Sequence, residues 1–140
     1  MTNPPFVEQG RGQGSPNSSK ALANVESSVP LEIWINFCLT MLKHKGTLTM
    51  IHRADRMHEV LSALAGQAGE AIVYPLWPGP DKKPSKRFIL SCRKGVRTPM
   101  LLSTGLILHQ ADGSYTPAAE KILRDGEALD LSESVSAFDQ

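Results

Sequence analysis

Apolar residues recur at helical spacing in the middle of the chain. From Leu31 they fall at positions i, i+3, i+4, i+7, i+8 and i+11, which is the stripe of an amphipathic helix. Pro30 suits the first position of this helix, because a first-turn N–H has no intrahelical partner to lose. The same spacing near Met57 predicts a second, shorter helix. We expect Trp34, Met41 and Met57 to belong to the core.

Short apolar runs predict strands between and after the helices. Residues 47–51, 71–74 and 87–93 form such runs, and turn signals separate them. Residues 101–108 would add an interrupted edge strand, and Thr116 would cap a last helix. The order helix, strand, helix, strand, strand predicts an α/β fold whose parallel sheet receives one antiparallel strand late.

The chain divides into three parts by composition. Residues 8–28 are polar and rich in glycine and serine, with neither helical nor strand periodicity, as in long functional or mobile loops. We predict a first part at residues 1–30, a folded part at residues 31–129, and an acidic, disordered tail at residues 130–140. With 140 residues, 41% of them hydrophobic, the chain has the length for one domain with a modest core.

Charge and cysteine content narrow the choice of partners. The formal net charge is +1, so a nucleic acid would have to bind a local patch, and basic residues crowd between positions 82 and 97. Cys38 and Cys92 have no partner at metal-ligand spacing, which predicts buried, reduced thiols and no metal. No apolar run approaches the roughly 20 residues that cross a bilayer. We expect no membrane partner and a cytoplasmic location.

A tetrapeptide near the start of the chain carries a pattern with chemical meaning: Asn3, Pro4, Pro5 and Phe6. An exocyclic adenine amine is a poor nucleophile, because its lone pair is delocalised into the ring, and it needs acceptors for its two hydrogens. The Asn3 side chain and the Pro4 carbonyl can supply them, since proline fixes the backbone. The Phe6 ring can stack on a flipped-out base. The same tetrapeptide would also fit an ordinary polyproline-like turn.

In its context this motif resembles that of the tRNA adenine-N6 methyltransferases and their bacterial relatives among class I methyltransferases. The resemblance runs from Asn3 to about Leu129. The tetrapeptide is shared with DNA adenine and protein glutamine methyltransferases, whereas the element DGSYT at residues 112–116 favours tRNA. The other matching segments are Ser15-Pro16-Asn17 before the helix at Pro30, the strand at residues 47–52, and Lys86-Arg87-Phe88-Ile89-Leu90.

The resemblance implies S-adenosylmethionine as the cofactor and the C-terminal half of a Rossmann-like class I methyltransferase sheet as the fold. In that family a glycine-rich loop after the first strand and an acidic residue ending the second strand hold the cofactor, and this sequence has neither. Gly10, Gly12 and Gly14 only mimic such a loop, because no strand leads into them. We therefore expect a fragment whose partner is the missing N-terminal half of the same domain, with Asn3 touching only the methyl side of the cofactor.

The predicted topology gathers polar side chains at one edge of the sheet. Ligands of open α/β sheets bind beyond the carboxyl ends of the parallel strands, where Asn3 and His52 end two strands and the turn at residues 78–86 leaves a third. We expect His52 to end its strand rather than act as a base, and Trp77 either to stack on RNA or to pack against the hairpin. The residues predicted to bind tRNA at this edge are Lys82, Lys83, Lys86, Arg87, Arg53 and Arg56.

Two other functions stay open from the sequence. A protein glutamine methyltransferase would present the same tetrapeptide to a side-chain amide, although it would need no basic turn. A non-catalytic RNA-binding module descended from a methyltransferase would keep the basic turn without the cofactor half. The reading frame upstream of Met1 distinguishes them, because a strand, a glycine-rich turn and an acidic strand end found there would restore the enzyme.

Overall fold

A computed structural model describes residues 1–3, 29–81 and 83–131 of the chain. The predictions for Pro4, Pro5 and Phe6, for the polar loop at residues 8–28, and for the tail from residue 132 onward lie outside the described residues. Lys82 also lies outside them.

The helices and strands follow the predicted order. None of the described helices combines the length and the apolar character needed to span a bilayer. The shortest predicted strand run, at residues 71–74, extends in both directions in the structure. The elements are α1 (Leu31–Met41), β1 (Thr47–Arg53), a 3-10 turn (Ala54–Arg56), α2 (Met57–Leu64), β2 (Ala68–Trp77), β3 (Arg87–Lys94), β4 (Leu101–Leu102), β5 (Leu106–Ile107) and α3 (Pro117–Leu123).

The sheet is mixed, with its one long antiparallel strand in the middle. The strand order is β1-β3-β2-β4, and β5 also pairs with β2. Because β3 runs antiparallel to both β1 and β2, those two strands point the same way. The short strands β4 and β5 run parallel to β2. The prediction of an α/β sheet with a late antiparallel strand is confirmed.

The core lies between one face of the sheet and the two helices α1 and α2. In β1 and β3 every second side chain is buried, which is the strand period expected of a sheet with one face against helices. The apolar stripe of α1 is buried through Leu31, Ile35 and Leu39, as its spacing predicts. Phe88, in the middle strand, is fully buried at the centre of this cluster.

One core prediction is wrong. Met41 is 72% exposed, because it lies off the buried stripe of α1 together with the exposed Ile33 and Phe37, which precede it at intervals of four residues. Met57, by contrast, packs against the core. Both Cys38 and Cys92 are free thiols, and burial raises the pKa of the Cys92 thiol to about 11.

The DGSYT element at residues 112–116 folds into a turn that starts α3. Asp112 Oδ1 accepts hydrogen bonds from the Ser114 N–H at 2.9 Å and from its hydroxyl at 2.6 Å. The Tyr115 ring stacks on His109, with centroids 4.8 Å apart. Thr116 caps the helix by accepting a hydrogen bond from the Ala119 N–H at 3.2 Å. Asp112, Ser114, Tyr115 and Thr116 therefore each have a local structural role in this turn.

Candidate functional site

Asn3 lies at the carboxyl edge of the sheet, the edge at which β1 and β2 end. Thr2 pairs in parallel with Met50 of β1. Its N–H donates to the Thr49 carbonyl at 2.8 Å, and its own carbonyl accepts from the Ile51 N–H at 3.4 Å. Asn3 follows directly and is exposed. Ligands of open α/β sheets bind at this edge, so the exposed Asn3 lies where a ligand would be expected.

A long-range hydrogen bond fixes the backbone next to Asn3. Trp34 Nε1, in α1, donates to Thr2 Oγ1 at 3.0 Å. The indole is only half-buried, and its Nε1–H reaches this partner. Sequence reasoning placed Trp34 in the core and missed this positioning role, since a bond across 32 residues leaves no local pattern. Thr2 is thus held by both α1 and β1.

His52 lies in the buried face of β1, one residue before the strand ends. It is fully buried, and its Nδ1 accepts a hydrogen bond from the Arg53 N–H at 2.7 Å. Burial lowers the pKa of the imidazole, and the Arg56 guanidinium lowers it further, while the Glu59 and Asp55 carboxylates partly offset these effects. The ring is therefore neutral at pH 7, and burial agrees with a structural role rather than with a base facing a ligand.

The lowered pKa of His52 predicts that the protein loses stability when the pH falls below about 6.5. The unfolded chain takes up a proton at the ordinary histidine pKa, whereas the folded chain resists it, so acid favours unfolding in this window. Urea unfolding at about pH 7 and about pH 5.5 measures the difference. His52→Asn keeps an acceptor for the Arg53 N–H and should flatten this dependence. An equal loss in both proteins would contradict the assignment to His52.

A cationic cleft of about 570 Å³ opens at the carboxyl edge. Arg53 and Arg87 are register partners across β1 and β3, so the two guanidinium groups start from the same row of the sheet. The turn before β3 is held in place because Ser85 Oγ donates to the Leu76 carbonyl at 2.9 Å. The Lys86 carbonyl, also in this turn, accepts a hydrogen bond from the Ala54 N–H at 3.0 Å. The residues lining the cleft are Arg53, Asp55, Ser85, Lys86 and Arg87.

Several of the predicted RNA-binding cations also form ion pairs, of which the Arg56–Glu59 pair is the most buried. The Arg53 guanidinium holds the pKa of Asp55 below its usual value, and Arg56 does the same for Glu59. Exposed pairs of this kind contribute little stability and exchange partners readily. An incoming phosphate can therefore compete for Arg53 and Lys83, whereas the Arg56 side chain is only 20% exposed. The pairs are Arg53 with Asp55, Arg56 with Glu59 and Lys83 with Asp81.

The structure brings some of the predicted site residues together and separates others. Arg53, Lys86 and Arg87 share the cationic cleft. Lys83 is exposed in the turn between β2 and β3, at the same edge. Arg56 lines a different cleft, of about 340 Å³, between α1 and α2. RNA binding by these residues stays a prediction, as does the catalytic role of the tetrapeptide.

The described residues fit only one side of an S-adenosylmethionine site. The strand β1 passes through Ala54–Arg56 into α2 without a glycine, and within the described ranges no strand is followed by a glycine-rich turn into a helix. Such a turn lets backbone N–H groups approach a nucleotide or a similar ligand. Asn3 is exposed, and its contact with the methyl end of the cofactor stays a prediction.

Titration of the 140-residue chain with S-adenosylmethionine is therefore expected to give no measurable heat of binding. The groups that would hold the methionine and ribose parts of the cofactor do not occur among the described residues, and one carboxamide cannot offset the entropy lost on association. Isothermal titration calorimetry is the measurement. Micromolar affinity would show that the chain builds the cofactor pocket from its own residues.

Comparisons with known proteins show the fold. No protein-family model matches the sequence, and no protein with a curated description matches it. The chain is similar to a crystal structure of a predicted O-methyltransferase from Agrobacterium tumefaciens, with a TM-score of 0.66, 21% sequence identity and 76% of this chain covered. The match spans 59% of that protein's chain. The prediction of a methyltransferase-like α/β fold is confirmed.

Proposed function

We propose that the protein to which these residues belong transfers a methyl group to an exocyclic amine, and that the amine is N6 of an adenine in tRNA. The observation that supports this most directly is the position of Asn3, which is exposed and follows the paired Thr2 at the carboxyl edge. An Asn-Pro-Pro-Phe sequence starting there offers a carboxamide oxygen and a backbone carbonyl as acceptors. No charged base is needed, because the amine proton passes to water after the new N–C bond has formed.

The part of these residues in the reaction is positioning. S-adenosylmethionine, when bound, supplies a methyl carbon activated by a sulfonium, and the C–S electron pair stays with sulfur. The Asn3 carboxamide accepts a hydrogen bond from the amine and turns its lone pair toward the methyl carbon. Holding two reacting atoms in line in this way accounts for a large share of many enzymatic rate enhancements. His52 is fully buried, which agrees with a reaction that uses no imidazole base.

The basic residues at the carboxyl edge support RNA as the substrate. Arg53 lies one strand away from Asn3 and about two residues further along, roughly 8 Å from backbone to backbone. A phosphate next to the target nucleotide would reach the cationic cleft across this distance. Contacts to phosphates position a nucleic acid without reading its sequence, which suits guanidinium and ammonium groups on a rim. A glutamine substrate would need no such rim.

The experiment that tests the function is methyl transfer from labelled cofactor to tRNA by the protein carrying its complete domain, followed by digestion to nucleosides. Labelled N6-methyladenosine is the expected product. A label found on peptide glutamine instead, or on an oxygen, would replace the proposed substrate. Binding of tRNA without any transfer would favour the non-catalytic RNA-binding module.

The salt dependence of tRNA binding tests the cationic rim. Each lysine that contacts a phosphate releases about one condensed counterion, so log K falls with log salt by roughly 0.7 to 0.9 per contact. Replacing Lys82, Lys83 and Lys86 together by glutamine should therefore flatten the slope by about two to three units. Fluorescence anisotropy with labelled tRNA across a salt series gives the slope.

A matched control removes the same number of charges elsewhere. Lys43 and Lys45 precede β1 at the opposite edge of the sheet, Lys121 lies on α3, and all three are exposed. Their replacement by glutamine should leave the salt slope nearly unchanged. Equal slopes in the two triple variants would move the RNA-binding face away from the carboxyl edge.

A further inference from the structure

A third pocket, of about 330 Å³, lies beside the end of β2 and is separate from the cationic cleft. Its walls are mainly apolar, and Lys83 stands at its rim. Concave, apolar sites with a few polar groups are the usual places where small planar groups bind. We call it the Trp77 pocket, and its principal lining residues are Trp77, Pro80, Thr104, Gly105 and Ile107.

The Trp77 ring is fixed in its orientation. Its Nε1 donates a hydrogen bond to the Thr104 carbonyl at 2.8 Å, so the polar edge of the indole is used and its face remains for contacts. Gly105 has φ +79°, and a Cβ there would lie 2.1 Å from the Pro75 carbonyl oxygen and 3.0 Å from Trp77 Nε1. Glycine at this position therefore lets the chain approach β2 closely enough to hold the indole. A ring fixed in advance loses little entropy when a ligand stacks on it.

The Lys83 ammonium group at the rim favours an anionic ligand, and the Trp77 ring favours a ligand with a planar part. Lys83 is paired with Asp81 at 3.2 Å, and both side chains are more than half exposed, so the ammonium group can exchange this partner for a phosphate. The cationic cleft lies at the same edge of the sheet. A stacking ring beside a cation is the combination that binds single-stranded nucleic acids, because every base offers a π face and every nucleotide a phosphate.

We propose that the Trp77 pocket binds an unpaired nucleobase that flanks the target nucleotide, stacked on Trp77 with its phosphate at Lys83. This inference rests on RNA as the proposed substrate class. The base is not the methylated one, because Thr2 and β2 are separated by three strand spacings, roughly 14 Å across the sheet. The site makes single-stranded RNA around the target adenine a requirement for tight binding.

The test is binding of a short single-stranded oligoadenylate to the full chain, followed by fluorescence anisotropy, with an abasic strand of equal length as the matched probe. The oligoadenylate should bind more tightly than the abasic strand. Trp77→Leu should weaken oligoadenylate binding roughly 5- to 100-fold and remove that preference, while Trp77→Phe should stay within a few-fold of the parent. Urea unfolding of each variant shows whether the fold is kept.

A second pair of variants keeps the test informative if Trp77→Leu does not fold. Thr104 is exposed and bonds to the indole through its main-chain carbonyl, so its side chain can be changed without removing that bond. Thr104→Glu places a carboxylate at the mouth and should weaken oligoadenylate binding several-fold, whereas Thr104→Gln should not. Equal binding by all folded variants, or equal affinity for the abasic strand, would overturn the base-stacking site.

The outcomes separate this inference from the proposed function. RNA binding that persists without any effect of Trp77 or Thr104 removes the pocket from the RNA interface and leaves methylation at Asn3 untouched. Loss of oligoadenylate binding in Trp77→Leu, together with no labelled N6-methyladenosine from the complete protein, supports the pocket and rejects the reaction.

Discussion

Phe88→Ala is expected to lower the free energy of unfolding by about 3–5 kcal/mol. Phe88 is fully buried in the middle strand of the sheet, between β1 and β2 and beneath the helices. Removing its ring costs the transfer free energy of the lost atoms and leaves a cavity that a sheet paired on both sides cannot close. Urea unfolding followed by circular dichroism measures the change as a lower midpoint at a similar slope.

The same substitution on the surface provides the control. Phe37 lies on the outer side of α1 and is 61% exposed, so Phe37→Ala should change the free energy of unfolding by no more than about 0.5 kcal/mol. Similar losses in the two variants would mean that Phe37 is covered in solution, or that β3 is not the centre of the core.

The arrangement of the sheet could be predicted from the sequence because its signals are local. Alternation in β3 buries Phe88, Leu90 and Cys92 and turns Ile89 and Ser91 to the other face, as a strand with one face against helices requires. The spacing of apolar residues in α1 gave its buried stripe in the same way. Element order then left few ways to connect parallel strands. The late strand was expected to return beside its predecessor as a wide hairpin, and it pairs antiparallel with β2.

The start of β2 and the exposure of the apolar residues Ile33, Phe37 and Met41 on α1 were not predictable, because both depend on distant parts of the chain. The strand begins at Ala68, where its pairing with β3 is interrupted between Gly69 and Ile72. A Cβ at Gly69 would lie 2.5 Å from the Val96 carbonyl oxygen, so this glycine permits a contact that no local pattern encodes. The exposed Met41 follows the same rule, since helical spacing alone does not say which apolar side is covered.

The position of the candidate site could be predicted from the sequence, but the contacts that hold its residues in place could not. Strand order was enough to expect Asn3 and the basic turn at one edge, and the parallel pairing of Thr2 with β1 agrees with that expectation. The bonds from Trp34 to Thr2 and from Trp77 to Thr104 span 32 and 27 residues, and neither was predicted. Both use an indole N–H to fix a backbone segment at or near the carboxyl edge. The contacts that hold the candidate site in place are long-range, whereas the residues proposed for its chemistry form a short sequence motif.

In the protein with its complete domain, Asn3→Ala is expected to lower the single-turnover rate of methyl transfer on the order of 100-fold or more. The alanine removes the proposed acceptor for the adenine amine, and a positioned hydrogen bond of this kind acts mainly in the transition state, so tRNA affinity should change little. Stability should also be unchanged, because Asn3 is exposed and Thr2 keeps its bonds to Thr49 and Trp34.

Rapid mixing of enzyme in excess over labelled tRNA measures this rate without product release. Asn36→Ala is the matched control: it removes a carboxamide from α1, where Asn36 accepts a hydrogen bond from Gln67 at 2.8 Å, away from the carboxyl edge. The control should methylate within a few-fold of the parent. If Asn3→Ala does the same, Asn3 is not the amine acceptor. A large loss confined to Asn3→Ala, with the unfolding midpoint and the tRNA affinity retained, places the reacting amine at the end of the Thr2 strand.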